Sequence, residues 1–252
     1  MFTIEIFLMK FKEFLIQLLH YHSIPIKIEA LNLLDDKDAL FLNENRILIV
    51  LKDEFITQSQ LNELENYCTS HQIRFIQVDK NEFLHKRILI ENRILSLFKI
   101  RNRIHGRACK VDHINKTEAE EFLKIHHSLG ATGAPNRYGL FYKNTLIAVA
   151  SFSKARVMTY EDVPYYSYVW ERYASLSDST VIGGMGKLLK AFITESGAKH
   201  IMTYADLNWG TGESFKKLGF KEIKSKEFQI GSNHDSSVSK TTSSLKYILD
   251  LR

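Results

Sequence analysis

Apolar and polar positions along the chain fall into two blocks of mixed strand-like and helix-like pattern, separated by a basic stretch around residue 100. The opening MFTIEIFLMKFKEFLIQLLH is interrupted by Glu5, Lys10, Lys12 and Glu13, so it predicts an amphipathic helix and no membrane span. DALFLNENRILIVLK reads as two short strands about a turn at Asn43-Glu44-Asn45. Thr57 then caps the helix TQSQLNELENYCTSH, which sets Leu61, Leu64 and Cys68 at helical spacing, and IRFIQV returns as a strand. That order implies an α/β layer. From Glu82 to Leu97 the apolar residues, among them Phe83, Ile90 and Ile94, form a broad stripe that predicts one closing helix.

The stretch Arg101 to Arg107 is basic, contains Gly106 and has no periodic pattern, so it marks a boundary between a domain at 1–103 and a domain at 104–252. Beyond it, Thr117 to His127 predicts a helix with a capping box of Thr117 and Glu120, and LFYKNTLIAVASFS a hairpin turning at Lys143-Asn144. A strand over Tyr165 to Ser175 follows, then a glycine-rich loop, the helix GKLLKAFITES, the strand KHIMTYAD, a short helix around ESFKKLGF and a final strand or pair. Residues 232–244 are polar and Ser-rich and read as a loop without assigned function. The expected fold class is α/β (α+β), a mixed sheet flanked by helices preceded by a smaller α/β domain.

Composition adds three constraints. With 44% hydrophobic and 25% charged residues and only 3 prolines, the chain should fold throughout. No basic segment followed by an apolar core and a cleavage site opens the chain, so a cytoplasmic location is expected. Cys68 and Cys109 lack CxxC spacing, which points away from disulfides and from a structural metal site. The net charge of +5 is uneven: Lys86, Arg87, Arg93, Lys99, Arg101, Arg103, Arg107 and Lys110 crowd one stretch. Such a run suits a nucleic-acid partner, DNA in particular; the plainer reading is a solvated helix face and its linker.

The chemistry concentrates in Val181-Ile182-Gly183-Gly184-Met185-Gly186-Lys187-Leu188. A strand that ends in a glycine-rich turn and opens a helix aims backbone N–H groups and the positive helix end at one point, which suits a pyrophosphate. Gly183, Gly184 and Gly186 let the backbone approach such a ligand, and Lys187 adds a charge. Walker A and Rossmann spacings are absent, so the context of the loop carries the reading.

That context, the strand after the loop helix and NWGTGESFKKLGF, resembles the acetyl-CoA-binding half of the GNAT acyltransferase superfamily. More narrowly, IHGRACKV, HHSLGATGA, the strand with Glu171-Arg172-Tyr173, GGMGKLL, TYADLNWG and KLGF resemble the GNAT-like domain of phage proteins related to the Mom DNA-modification enzyme, over roughly residues 104–223. The first half is similar to a reduced homing-endonuclease-like or very-short-patch-repair-like nuclease domain. Val50 stands where that pattern places an acidic residue, and only Asp38 survives as a carboxylate, so no nuclease activity is expected.

The resemblance implies an acetyl-CoA or other acyl-CoA donor lying between two splayed strands, attacked by a substrate nitrogen while a backbone amide stabilises the oxyanion. It implies further that Asp206 binds or deprotonates the acceptor, with capping of the next helix as the alternative; that Arg172 holds a carboxylate or phosphate, with a buried ion pair to Glu171 as the alternative; and that His127 acts as base or stacking group, with a packing role as the alternative. Phe215 stands where a tyrosine protonates the leaving thiolate, which leaves that task to Tyr204, Ser214 or water. The expected function is an acyl-CoA-dependent N-acyltransferase of phage or mobile-element type, with a nucleic-acid amine as the candidate acceptor; the competing class is an inactive DNA-binding module, and a protein or small-molecule amine is a third possibility for the acceptor.

Overall fold

The computed structural model describes residues 10–25, 39–42, 46–99, 102–206, 209, 212–223 and 244–252. The chain divides into two compact units, Met1–Ile100 and Arg101–Arg252.

In the first unit, helix α1 (Phe11–Tyr21) is followed by β1 (Ala39–Leu42), β2 (Ile47–Lys52), α2 (Gln58–Ser70) and β3 (Arg74–Asp79). The turn expected at 43–45 and Asp38 lie outside the described residues. The sheet order is β1-β2-β3, with β1 antiparallel and β3 parallel to β2. Helix α2 opens on the expected cap, since the Thr57 side chain accepts from the Gln60 N–H and the Gln60 side chain from the Thr57 N–H. Its apolar side, Leu61, Leu64 and Cys68, packs on Phe41, Leu48 and Val50. Val50 is fully buried in this apolar layer, and burial pushes the Cys68 thiol up to about 11.

The single closing helix expected over 82–97 is two helices, α3 (Lys80–His85) and α4 (Arg87–Leu97). Lys86 between them has φ −129° and ψ 38°, outside helical geometry, and Asp79 caps α3 by accepting from the Glu82 N–H. The break resolves a geometric conflict: the apolar stripe is too broad for one straight helix to bury, and even so Ile88 stays 71% exposed.

The second unit holds β4 (Asn102–His105), a 3-10 turn at Gly106–Ala108, β5 (Lys110–His113), α5 (Lys116–His126), β6 (Asn136–Tyr142), β7 (Thr145–Phe152), β8 (Arg156–Tyr160), β9 (Val163–Ser175) and β10 (Ser179–Ile182). It ends with α6 (Gly184–Ser196), β11 (His200–Asp206), α7 (Glu213–Lys217), β12 (Lys221–Ile223) and β13 (Ser244–Asp250). Strands pair in the order β12-β13-β11-β9-β7-β6-β5, with β8 also on β9. The sheet is mixed: β9 and β11 are parallel, their other neighbours antiparallel.

Three expectations are corrected here. Helix α5 is capped two residues earlier than expected, by a capping box of Asn115 and Glu118, because Asn is the stronger cap and Glu118 sits three residues on. The patternless basic stretch contains β4, which pairs in parallel with β10 just before the glycine loop. Strand β8 was not anticipated; it folds back on β9 at Glu161-Asp162, both with positive φ, as Lys143 and Asn144 do in the expected hairpin.

Helix α6 packs on one face of the sheet. Phe192 stacks on Phe152 at 3.8 Å and 3° and meets Tyr138 and Tyr168 edge-on, with Leu188, Ile201, Tyr247 and Leu249 in the same buried cluster. Truncating a ring so enclosed costs about 3–5 kcal/mol. Helix α5 covers the other face through Ala119, Phe122 and Leu123 against Val149 and Ala174.

Candidate functional site

Strands β9 and β11 pair only over Ser167–Val169 and His200–Met202. Beyond those residues each strand keeps its outer neighbour, β7 and β13, but not the other, so the sheet opens between them. The Trp170 carbonyl, at the point of divergence, accepts instead from Thr203 Oγ1 at 3.0 Å. On the opposite edge the β7–β9 register slips, with Ser151 opposite Arg172 and Phe152 opposite Trp170. Glu171 is the extra residue of this bulge, and its main chain lies at the open seam.

The bulge also sets side-chain direction. Trp170 turns toward α6 and meets Phe215 at 5.8 Å, whereas Arg172 lies on the α5 face with Ala174. Arg172 donates to the carbonyls of Gly130 at 3.2 Å and Glu171 at 2.7 Å. The partner seen for Arg172 is thus the Glu171 carbonyl and not an ion pair with its carboxylate. Burial draws the guanidinium below its usual range, with Glu171 opposing the shift through its charge.

Along β11, Ile201, Thr203 and Ala205 are buried on the α6 side, so Tyr204 and Asp206 face the α5 side at the other lip of the seam. Asp206 is not the cap of the following helix, because α7 starts on Gly212, which holds φ 71°. Tyr204 and Phe215 lie on opposite faces, so Tyr204 cannot supply the hydroxyl missing from Phe215. Ser214 is exposed on α7. His127 ends α5, and its Nδ1 accepts from the Leu129 N–H at 3.1 Å, which shapes the 127–135 loop.

At the end of β10 the glycine loop has the expected form. Gly183 holds φ 74° and serves as the cap of α6 with no side-chain hydrogen bond. Lys187 N–H makes the first intrahelical bond, to the Gly183 carbonyl, so the N–H groups of Gly184, Met185 and Gly186 precede the helix ladder. A Cβ on Gly184 would come within 2.5 Å of Val181 Cγ1, and one on Gly106 within 3.0 Å of the Gly184 nitrogen. Two backbones therefore touch, and the β4–β10 pair holds the loop. Leu188 is buried beneath it, as expected. The Lys187 ammonium is a correction: it donates to the carbonyls of Gly106 and Cys109, fastening the 3-10 turn, and is not directed by these bonds at a ligand.

One residue of this region carried no signal in the sequence. Tyr247 on β13 is fully buried, its ring stacks on Phe215 at 5.6 Å, and its hydroxyl has no hydrogen-bond partner among the described residues. Burial raises its pKa, with the Glu222 charge adding to the shift.

Several members of the basic stretch have partners within their own unit. Arg87 lies over the rings of Phe14 and Phe83 at 4.1 and 4.9 Å, Arg93 pairs with Glu82 at 3.6 Å, and Lys110 pairs with Asp112 at 2.8 Å. Lys86 and Lys99 belong to the first unit and Arg103 and Arg107 to the second, while Arg101 lies outside the described residues. Among the described residues no cluster of His, Cys, Asp and Glu is placed to hold a metal, and no helix is long and apolar enough to cross a membrane.

No family model and no curated protein matches the chain. Among solved structures it is similar to a GNAT family acetyltransferase from Elizabethkingia anophelis with acetyl-CoA bound, at 14% identity over 57% of this chain and 99% of that one, TM-score 0.42. An acetyltransferase from Bacillus subtilis in complex with CoA matches at 14% identity, 57% and 98% coverage and TM-score 0.41. The polyamine N-acetyltransferase of Drosophila melanogaster matches at 11%, 57% and 100%, TM-score 0.41.

Proposed function

We propose that the second unit is an acyl-CoA-dependent N-acyltransferase. The observation that carries this reading is the conjunction of an open seam between β9 and β11 with an uncapped glycine-rich helix start whose Gly186 lies against Leu218, close in sequence to the Phe215 ring that meets Trp170 at the seam. The N–H groups of Gly184, Met185 and Gly186 and the positive end of α6 hold the pyrophosphate of acetyl-CoA, which supplies the activated acyl group. The main-chain N–H at the Glu171 bulge faces the developing oxyanion. Asp206 and Arg172, on the α5 face, orient the acceptor amine, and Asp206 accepts its proton. The departing sulfur takes a proton from Tyr247, the buried hydroxyl beneath Phe215.

The acceptor enters from the α5 face. Of the basic stretch that would suit the nucleobase amine implied by the resemblance to phage modification domains, Arg93 is paired with Glu82 and Arg87 lies over Phe14 and Phe83, so these two are partly committed within the first unit.

Thermal unfolding with acetyl-CoA tests the cofactor reading. At a hundredfold excess over Kd the ligand should stabilise the protein by about 2.7 kcal/mol. The matched control is Gly183→Asp: nothing lies within 4 Å of a Cβ there, and Asp tolerates positive φ, so the variant should fold while its carboxylate repels the phosphates. An equal shift in both proteins, or none in the native chain, overturns the reading.

A further inference from the structure

Arg137 on β6, Ser151 on β7 and Arg172 on β9 stand directly opposite one another in register, Arg137 against Ser151 and Ser151 against Arg172. All three lie on the α5 face, in alternation with Tyr138, Ala150 and Tyr173, which pack toward α6. Strand spacing puts the two arginine backbones about 10 Å apart with the serine midway. Like charges so placed repel unless something lies between them.

Neither guanidinium has a carboxylate as hydrogen-bond partner among the described residues. Arg137 donates to the Ala134 carbonyl, and Arg172 to the carbonyls of Gly130 and Glu171. Each guanidinium has five N–H donors, so most of this capacity is uncommitted. Two atoms of the row are buried without a hydrogen-bond partner among the described residues: Ser151 Oγ, on a residue only 1% exposed, and Arg137 Nε. Native proteins rarely leave such atoms unmatched, and a bound ligand, ion or water is one way to match them. The row ends at Arg172, on the lip of the open seam.

We propose that Arg137, Ser151 and Arg172 form a carboxylate subsite, and hence that the acceptor is a small amine carrying a carboxylate close to its nitrogen. This rests on the acyltransferase reading for the identity of the bound molecule as the acceptor. A carboxylate matches the fork of a guanidinium and accepts the serine hydroxyl as well. As a monoanion it costs less to bring down to a floor of buried serine than a doubly charged phosphate.

The test measures thermal midpoints in sodium acetate against sodium chloride at equal ionic strength, for the native chain, Ser151→Ala, Arg137→Met and Arg137→Lys. Acetate raises midpoints non-specifically by exclusion from protein surfaces, so the readout is the difference between proteins. The expected result is an acetate-specific rise in the native chain, lost in Arg137→Met, partly kept in Arg137→Lys, and displaced to about tenfold higher acetate in Ser151→Ala. Equal acetate effects in all four proteins overturn the subsite, and so does a variant-dependent effect of inorganic phosphate that exceeds that of acetate. The acetyl-CoA shift, measured alongside, should persist in the Ser151 and Arg137 variants. Its absence from the native chain would remove the acyltransferase reading while the acetate difference still judged the subsite. A thiol-release assay with pooled amino acids against their pooled carboxamides then gives the class of acceptor: faster release with the amides overturns it.

Discussion

The two faces of the large sheet are built from different materials. Toward α6 the site consists of main chain and rings: the N–H groups at Gly184–Gly186, the stack of Phe152 on Phe192, and Trp170 against Phe215. Toward α5 it consists of charged and hydroxyl side chains, with Arg137, Ser151 and Arg172 in one row and Tyr204 and Asp206 across the seam. A backbone cradle suits a ligand part with fixed geometry, such as a pyrophosphate, and side chains suit a part that varies from one substrate to another. On the proposed function, the difference would put the donor on one face and the acceptor on the other.

Tyr247 gives the sharpest way to break that division, because on the ring-lined face it is a fully buried hydroxyl with no hydrogen-bond partner among the described residues. If it returns the proton to sulfur, Tyr247→Phe should slow acyl transfer by about 100-fold or more. The same substitution should leave stability unchanged or raise it by up to about 1 kcal/mol, because the hydroxyl it removes is buried without a partner among the described residues. Opposite signs in rate and midpoint are the expected signature. A variant that is both unstable and slow would mean that the hydroxyl is structural, and an unaltered rate would return the proton to water.

How much of this was legible in the sequence divides along the same line. The glycine loop, its helix and the following strand are local patterns, and VIGGMGKLL and HIMTYAD announced them because turn chemistry and periodicity act over a few residues. The carboxylate row is invisible locally: Arg137, Ser151 and Arg172 meet only through strand register, and the bulge at Glu171 decides which face Arg172 takes. Strand β4 was missed for a related reason. Its sequence NRIH carries no alternation of its own, and it exists because β10 pairs with it.

Thr203→Val probes the hinge of the comparison with a smaller effect. Its hydroxyl holds the Trp170 carbonyl where β9 and β11 part, and valine keeps the shape while leaving that carbonyl without the bond. The expected cost is about 1–3 kcal/mol, read as a lower midpoint, with a reduced acetyl-CoA shift as the strand ends move. An unchanged acetyl-CoA shift would mean that the seam does not depend on this bond.

The smallest expected effect concerns acid. Two half-buried histidines lie on the α5 side: His126, whose Nδ1 lies 2.7 Å from Ser177 Oγ, and His200, whose Nδ1 lies 2.8 Å from Ser167 Oγ. Burial lowers the pKa of both, opposed at His126 by Asp178 and at His200 by Asp250. A depressed histidine pKa means that below about 6.5 the unfolded chain takes up protons that the folded chain refuses, so stability falls as pH drops through that value. Midpoints at pH 7.5, 6.5 and 5.5 should therefore decline more steeply in the native chain than in a His126→Asn, His200→Asn double variant. Parallel declines would place the acid sensitivity elsewhere.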